Sequence, residues 1–395
     1  MKVRYLSLAV LVLAALVTAS IVSAEWTYEL SYTVPYTDYG IDTAVMVGNE
    51  ILVGASNTST QEDAAVFVLD VNLSEVASYN ITSQADTIAA IDARGDLIAV
   101  GAIYGNTTIF VINRTEGSVY GPALIESAGG TGFSAQVEKL ALSGEYIYAL
   151  VYDNFDMNYY LYILDKTPSV VTSEPVGMMA DIARVENSDY LLYWNGSNLI
   201  YIVDGTAGSL NVVDSIDVGT AVVRAVAGYY NDTENAIYVV YGSDMGTYLV
   251  KYVIGTGIEY STQIGTEADL VPTFVAAIPN GLYVVTENGY GYRVTNLTSP
   301  TAEVEAIPTY AFGYYYGSEY IYALYQNEIR RFALEVAAVT TTQTVTETQL
   351  VYETETETVT ETTTVEGPYT TTDLAIVGIV CLLLGAAIAY VVRKR

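Results

Sequence analysis

Few residues in this chain can do chemistry, and the missing ones are as informative as those present. There is no histidine. That excludes Ser-His-Asp and Cys-His nucleophilic sites, haem ligation by histidine and His-rich zinc sites. The single cysteine, Cys381, lies in an apolar run near the C-terminus. Thiolate catalysis, iron–sulfur ligation and intrachain disulfides are therefore excluded from the rest of the chain. What remains is carboxylate pairs, tyrosine, Lys/Arg chemistry and oxygen-liganded calcium.

Asp42, Asp86 and Asp181 open three similar apolar runs, DTAVMV, DTIAAI and DIARV, and Glu138, Lys139, Arg184 and Arg224 lie along comparable runs. A ring of such carboxylates could hold calcium, which takes six to eight oxygens. No Asp-x-Asp-x-Asp loop accompanies them. On the plainer reading the aspartates cap turns and pair with Lys139, Arg184 or Arg224. These seven residues form the candidate ligand-binding set; none is assigned a catalytic role, and no metal or cofactor is assigned. The 37 tyrosines include the run YYYGSEYIYALY. Aromatic platforms stack on sugars and peptides, but tyrosine is also a favoured strand residue with a wettable tip.

The elements that must position these residues repeat. EYIYAL occurs at 145–150 and again at 319–324. Weaker relatives start at Glu50, Asp96, Asp189, Asn235 and Gly281, in steps of 46, 49, 44, 46, 46 and 38 residues. A period of roughly 40–50 residues marks propellers and helical arrays. The units are short runs of Val, Ile, Tyr and Thr bounded by Gly, Asn, Asp and Ser, which read as strands and tight turns. Second strands such as VFVLD, TIFVIN and YLYILD end at turn residues. Seven units of four strands predict an all-β, seven-bladed propeller over residues 25–338. The last unit supplies only three strands, and WTYELSYTV at 26–34 is expected to complete it beside 329–334, leaving no open edge.

On these phrases the chain resembles the seven-bladed propeller superfamily in its YVTN or quinoprotein-like form. The resemblance implies architecture alone, because fold does not carry function. No Trp-Asp dipeptide closes the blades, and the only tryptophans, Trp26 and Trp194, cannot form the spaced docking motif of quinoprotein dehydrogenases.

Both ends speak of location. Residues 1–24 have the charged, apolar, small-residue layout of a secretory signal. Residues 374–392 carry no charge and precede a basic tail, 393–395. As a helix they would rise about 28 Å, enough to span a bilayer with the tail in the cytoplasm. Residues 339–373, rich in Thr and Glu, read as an extended stalk. Asn57, Asn72, Asn80, Asn106, Asn113, Asn195, Asn231 and Asn296 open Asn-x-Ser/Thr glycosylation acceptors. This layout resembles archaeal surface-anchored proteins.

Net charge is −30, and the basic residues are few and unclustered, so nucleic acid is not an expected partner. The sequence predicts a type I plasma-membrane protein, its propeller extracellular, acting as a binding or structural scaffold for surface proteins or glycans. The alternative is an extracellular polysaccharide hydrolase or lyase built on carboxylates and tyrosine.

Overall fold

The computed structural model describes residues 25–335 apart from 37, 60–62, 83–86, 105, 131–133 and 326, together with 339–345 and 359–365. The expected signal, the apolar span at 374–392, the basic tail and Asp86 lie outside the described residues. Among those described, no helix is long and apolar enough to cross a membrane.

The repeat units fold into antiparallel four-stranded meanders. Strand β1 (Glu25–Tyr32) stands ahead of the first, which comprises β2 (Tyr39–Val47), β3 (Glu50–Asn57), β4 (Asp63–Leu69) and β5 (Glu75–Thr82). Next come β6 (Thr87–Arg94), β7 (Leu97–Tyr104), β8 (Asn106–Asn113) and β9 (Ser118–Ile125), then β10 (Ala135–Ser143), β11 (Tyr146–Asp153), β12 (Asn158–Asp165) and β13 (Val170–Gly177). The chain continues through β14 (Asp181–Glu186), β15 (Tyr190–Trp194), β16 (Leu199–Asp204) and β17 (Asn211–Asp217), and β18 (Val223–Asn231), β19 (Ala236–Ser243), β20 (Gly246–Val253) and β21 (Gly257–Gly265). It ends with β22 (Pro272–Ile278), β23 (Gly281–Thr286), β24 (Tyr290–Thr295) and β25 (Thr301–Ala306), and with β26 (Ala311–Tyr315), β27 (Tyr320–Tyr325) and β28 (Glu328–Glu335). Within the Thr-rich segment, β29 (Val339–Val345) and β30 (Val359–Val365) form an antiparallel ladder from Val339↔Val365 to Val345↔Val359. The sequence reading has an extended chain there, and its near-continuous Val and Thr suit a ladder.

Burial falls from the second strand outward. All eight residues of β19 are buried, whereas β13 and β17 are mostly exposed. The core lies between consecutive sheets packed face to face: Leu52, Val66 and Val68 of one meander meet Ile88, Ile98, Val100 and Phe110 of the next.

This packing explains the repeated phrase. Its fourth residue, Tyr148 in one copy and Tyr322 in the other, is fully buried. The Tyr148 hydroxyl donates to Gly205 O at 3.2 Å, in the β16–β17 connection of the following sheet, and the Tyr322 hydroxyl donates to Val71 O at 2.7 Å, in the β4–β5 turn. Tyrosine fills the space between two sheets and satisfies a turn carbonyl beyond it.

The sheet of β26–β28 takes β1 as its fourth strand, next to β28. The expected closure is thus present. Arg331 Nη2 lies 2.8 Å from Glu29 Oε2, and Tyr28 meets Phe332 edge-on at 6.1 Å.

Seven separate sheets were expected, and here the structure corrects the sequence. Five four-stranded sheets stand apart, while β14–β17 and β18–β21 join into one eight-stranded sheet. The join is a parallel pairing, Val185↔Gly228 and Glu186↔Tyr229. Gly228 permits it: a Cβ there would lie 3.0 Å from Leu192 Cδ1 and 3.2 Å from Val185 Cγ2. Gly228→Val should force these strands apart and cost about 1–3 kcal/mol of stability, read as a lower denaturation midpoint with the far-ultraviolet strand signal retained.

Candidate functional site

A cavity of about 440 Å³ is lined by the first strand of each meander: β2, β6, β10, β14, β18, β22 and β26. Most of the lining is apolar, including Met46, Leu140, Ile182, Val226, Phe274 and Phe312. The charged exceptions are Asp92, Glu138, Lys139, Arg184, Glu186 and Glu287.

First strands carry an irregularity in common. Register against the second strand slips by one residue at Asp42, Ala89, Glu138, Arg224, Thr273 and Phe312. Such a bulge leaves one residue unpaired and re-aims its side chain. Three of the sequence-predicted residues, Asp42, Glu138 and Arg224, occupy this position. β14 pairs with β15 in unbroken register from Asp181 to Arg184, and its last two residues turn to β18 instead.

The predicted residues do not converge on one ligand. Glu138, Lys139 and Arg184 line the cavity; Asp42, Asp181 and Arg224 do not. Asp42 accepts hydrogen bonds from Ser56 Oγ and Ile88 N, each at 3.0 Å. Burial raises its carboxyl above the ordinary value against the pull of those bonds. Asp181 accepts from Val226 N at 2.8 Å and pairs with Lys139 Nζ at 2.5 Å. Arg224 is taken by Asp269 at 2.7 Å. Among the described residues no carboxylate cluster could hold a metal ion.

The strongest constellation contains two residues that sequence reasoning missed. Arg184 Nε donates to Asp92 Oδ1 at 3.2 Å, while its Nη1 and Nη2 grip Glu186 Oε2 and Oε1 at 3.1 and 2.6 Å. Asp92 Oδ2 also accepts Leu142 N at 2.7 Å. Burial works to lower the Arg184 pKa, but Asp92 and Glu186 overcome it and hold the guanidinium above its usual range. Burial raises the Glu186 carboxyl despite Arg184. Two signals were in the sequence: a charge inside the apolar run TIAAIDAR, and Arg-x-Glu spacing, which puts both side chains on one strand face.

No protein-family profile matches this chain, and no curated protein matches it. Solved structures do. The chain is similar to the β-propeller domain of Cps50 (Swd1) from Myceliophteria thermophila, at 11% identity over 79% of this chain and 100% of that one, with a TM-score of 0.52. The WD40 propeller domain of Doa1 aligns at 13% identity over 79% of this chain and 98% of that one, TM-score 0.48. BamB from Moraxella catarrhalis aligns at 11% over 78% and 100%, TM-score 0.42. The fold is a β-propeller. At this identity the likeness extends to the fold alone.

Arg184→Met should deprive Asp92 and Glu186 of their shared, hydrogen-bonded countercharge and cost about 3–5 kcal/mol at pH 7. Without Arg184 the folded-state pKa of Glu186 rises further above its unfolded value, so the penalty is absent at low pH and grows as pH rises. Denaturation midpoints measured at about pH 4 and pH 7 should diverge accordingly.

Glu138 gives a second test. Burial raises its carboxyl, with Lys139 opposing, so the protonated form favours the fold and the advantage is lost as pH rises through the folded-state value. Glu138→Gln should therefore exceed the wild type by a fraction of a kcal/mol at pH 7, since solvent reaches the group, and match it below about pH 4.

Proposed function

We propose that this protein is a seven-bladed, extracellular, membrane-anchored binding or scaffold module, with the eight-stranded sheet counting as two blades. Each half of that sheet is a complete four-stranded meander. The signal-like start, the Thr-rich stalk, the uncharged span with its basic tail and the acceptor asparagines support a surface location of the type seen in archaeal anchored proteins.

One observation carries the binding reading over catalysis. All ten lysines and arginines between Glu25 and Glu335 sit in ion pairs with carboxylates of the same domain. No cation in the cavity stands apart to polarise a substrate or steady an oxyanion, and no histidine exists to relay a proton. Excess charge on the surface is carboxylate, which suits cationic or neutral partners, whether surface proteins or glycans.

The polysaccharide hydrolase reading keeps one foothold, the carboxyl of Glu138, raised by burial beside the cavity. A protease added to intact cells should remove the propeller while an epitope tag placed after Arg395 stays protected. The purified full chain should release no reducing ends from a panel of acidic and neutral polysaccharides. Protection of the propeller would overturn the topology, and turnover abolished by Glu138→Gln would overturn the binding reading.

A further inference from the structure

In an antiparallel meander, the turn between the second and third strands and the link to the next sheet fall at the same end. That rim carries an asymmetry. Met1 lies outside the described residues and Met46 is 1% exposed in the core. The other four methionines, Met157, Met178, Met179 and Met245, are all exposed, at 61, 74, 42 and 55%. They sit in the β11–β12 turn, the β13–β14 link and the β19–β20 turn. Phe155, half exposed, and Val222 join them from the β11–β12 turn and the β17–β18 link. The six side chains thus belong to three consecutive meanders on one arc of the rim. At the opposite end of these same meanders the exposed large hydrophobics, Val170, Val171, Val212, Val213 and Ile258, are all β-branched and lie at the starts of the outer strands, and none is a methionine or an aromatic.

The turns that present them are built rather than slack. Asp153, 4% exposed, accepts from Ser127 Oγ at 2.6 Å, Ala128 N at 2.9 Å and Phe155 N at 2.8 Å, tying the β11–β12 turn to the neighbouring link. Met157 itself is held at φ 59°, a left-handed conformation that a methionine adopts at a cost. In the β19–β20 turn, Met245 N donates to Ser243 Oγ at 3.1 Å and Met245 O accepts from Gln263 Nε2 at 2.9 Å.

Charge on the arc is predominantly negative. Asp156, Asp217, Asp244 and Asp269 are exposed there, and none of its turns and links holds a lysine or arginine. Arg224, at the start of β18, is engaged by Asp269.

Methionine side chains are flexible and polarisable and mould to apolar groups of varied shape. A ring of carboxylates around them attracts Lys and Arg and repels anionic lipid. We propose that this arc is a docking surface for a cationic polypeptide segment bearing bulky apolar side chains. The proposal rests on the binding-module reading and names the partner chemistry for it.

The test uses the unglycosylated full chain in detergent with an amphipathic Leu/Lys peptide, its Leu/Glu counterpart and anionic phospholipid vesicles. Calorimetry should show binding of the Leu/Lys peptide alone. Limited peroxide oxidation, mapped by mass spectrometry, should slow at Met157, Met178, Met179 and Met245 when that peptide is present. Replacing all four with serine removes no charge and no core contact. It should leave the melting temperature unchanged and weaken binding about tenfold or more, as expected for losing desolvated apolar contacts.

Equal binding by the quadruple variant would overturn the proposal, as would unprotected methionines or vesicle binding through the same residues. If a partner from the cell envelope is captured equally well by the variant, this surface is wrong and the binding reading stands. Polysaccharide turnover by the full chain would sink the binding reading without touching the peptide result.

Discussion

Each first strand of the ring has a bonded neighbour on one side and the axis on the other, so its second edge needs partners for buried backbone groups. Carboxylates from the preceding sheet supply them. Asp42 takes Ile88 N, Asp92 takes Leu142 N and Asp181 takes Val226 N, each reaching from one first strand to the next. Charge-assisted bonds of this kind are roughly twice as strong as neutral ones. They bind the blades near the axis, where the sheets converge and side-chain packing has least room. Between β14 and β18 the approach is closer still, and backbone pairs with backbone.

The same arrangement constrains function. A carboxylate that anchors a neighbouring strand and also faces a cation, as Asp92 and Asp181 do, is not available as a nucleophile or base. Buried ion pairs contribute little net stability compared with apolar packing, yet breaking one is costly. The Asp92–Arg184–Glu186 group therefore fixes the geometry of the axis more than it adds to stability. With every lysine and arginine of the domain paired to one of its own carboxylates, the exterior offers a partner net negative charge.

Much of this was legible in the sequence. The period, the strand phrases and the missing strand at 26–34 reflect local preferences and the need to pair edges, and both are written in residue type and spacing. Of the pairs that residue type suggests between Asp42, Asp86 or Asp181 and Lys139, Arg184 or Arg224, the structure has Asp181 with Lys139; Asp42 instead binds Ser56 and the Ile88 backbone, and Arg224 pairs with Asp269. The fusion at Gly228 was not legible, because a glycine within an apolar strand is compatible with a bulge, a bend or a close approach, and only the neighbouring side chains of Leu192 and Val185 decide which. Asp92 and Glu186 were less legible, because a charge inside an apolar strand marks a solvent-facing position as readily as one at the axis. The methionine arc draws on turns some ninety residues apart, which become neighbours only once the sheets follow one another around the ring.

The tyrosines show how one residue type can look like a ligand platform and be a structural device. In the run YYYGSEYIYALY, Tyr314 is buried, stacks on Tyr283 at 4.1 Å and donates its hydroxyl to Glu319, while Tyr283 donates to Glu305 at 3.0 Å. Arg293 joins both carboxylates at 3.2 Å and lies over the Tyr283 ring at 5.3 Å. Burial drives both phenols well above the ordinary value, with their carboxylate partners adding to the shift, so neither can ionise to act as a base. Phenylalanine would fill the same volume but remove one hydroxyl donor from each of these carboxylates, leaving Arg293 to hold both. Tyrosine is the residue that can span from an apolar inter-sheet layer to a polar turn, and a domain without disulfides uses it for that purpose repeatedly.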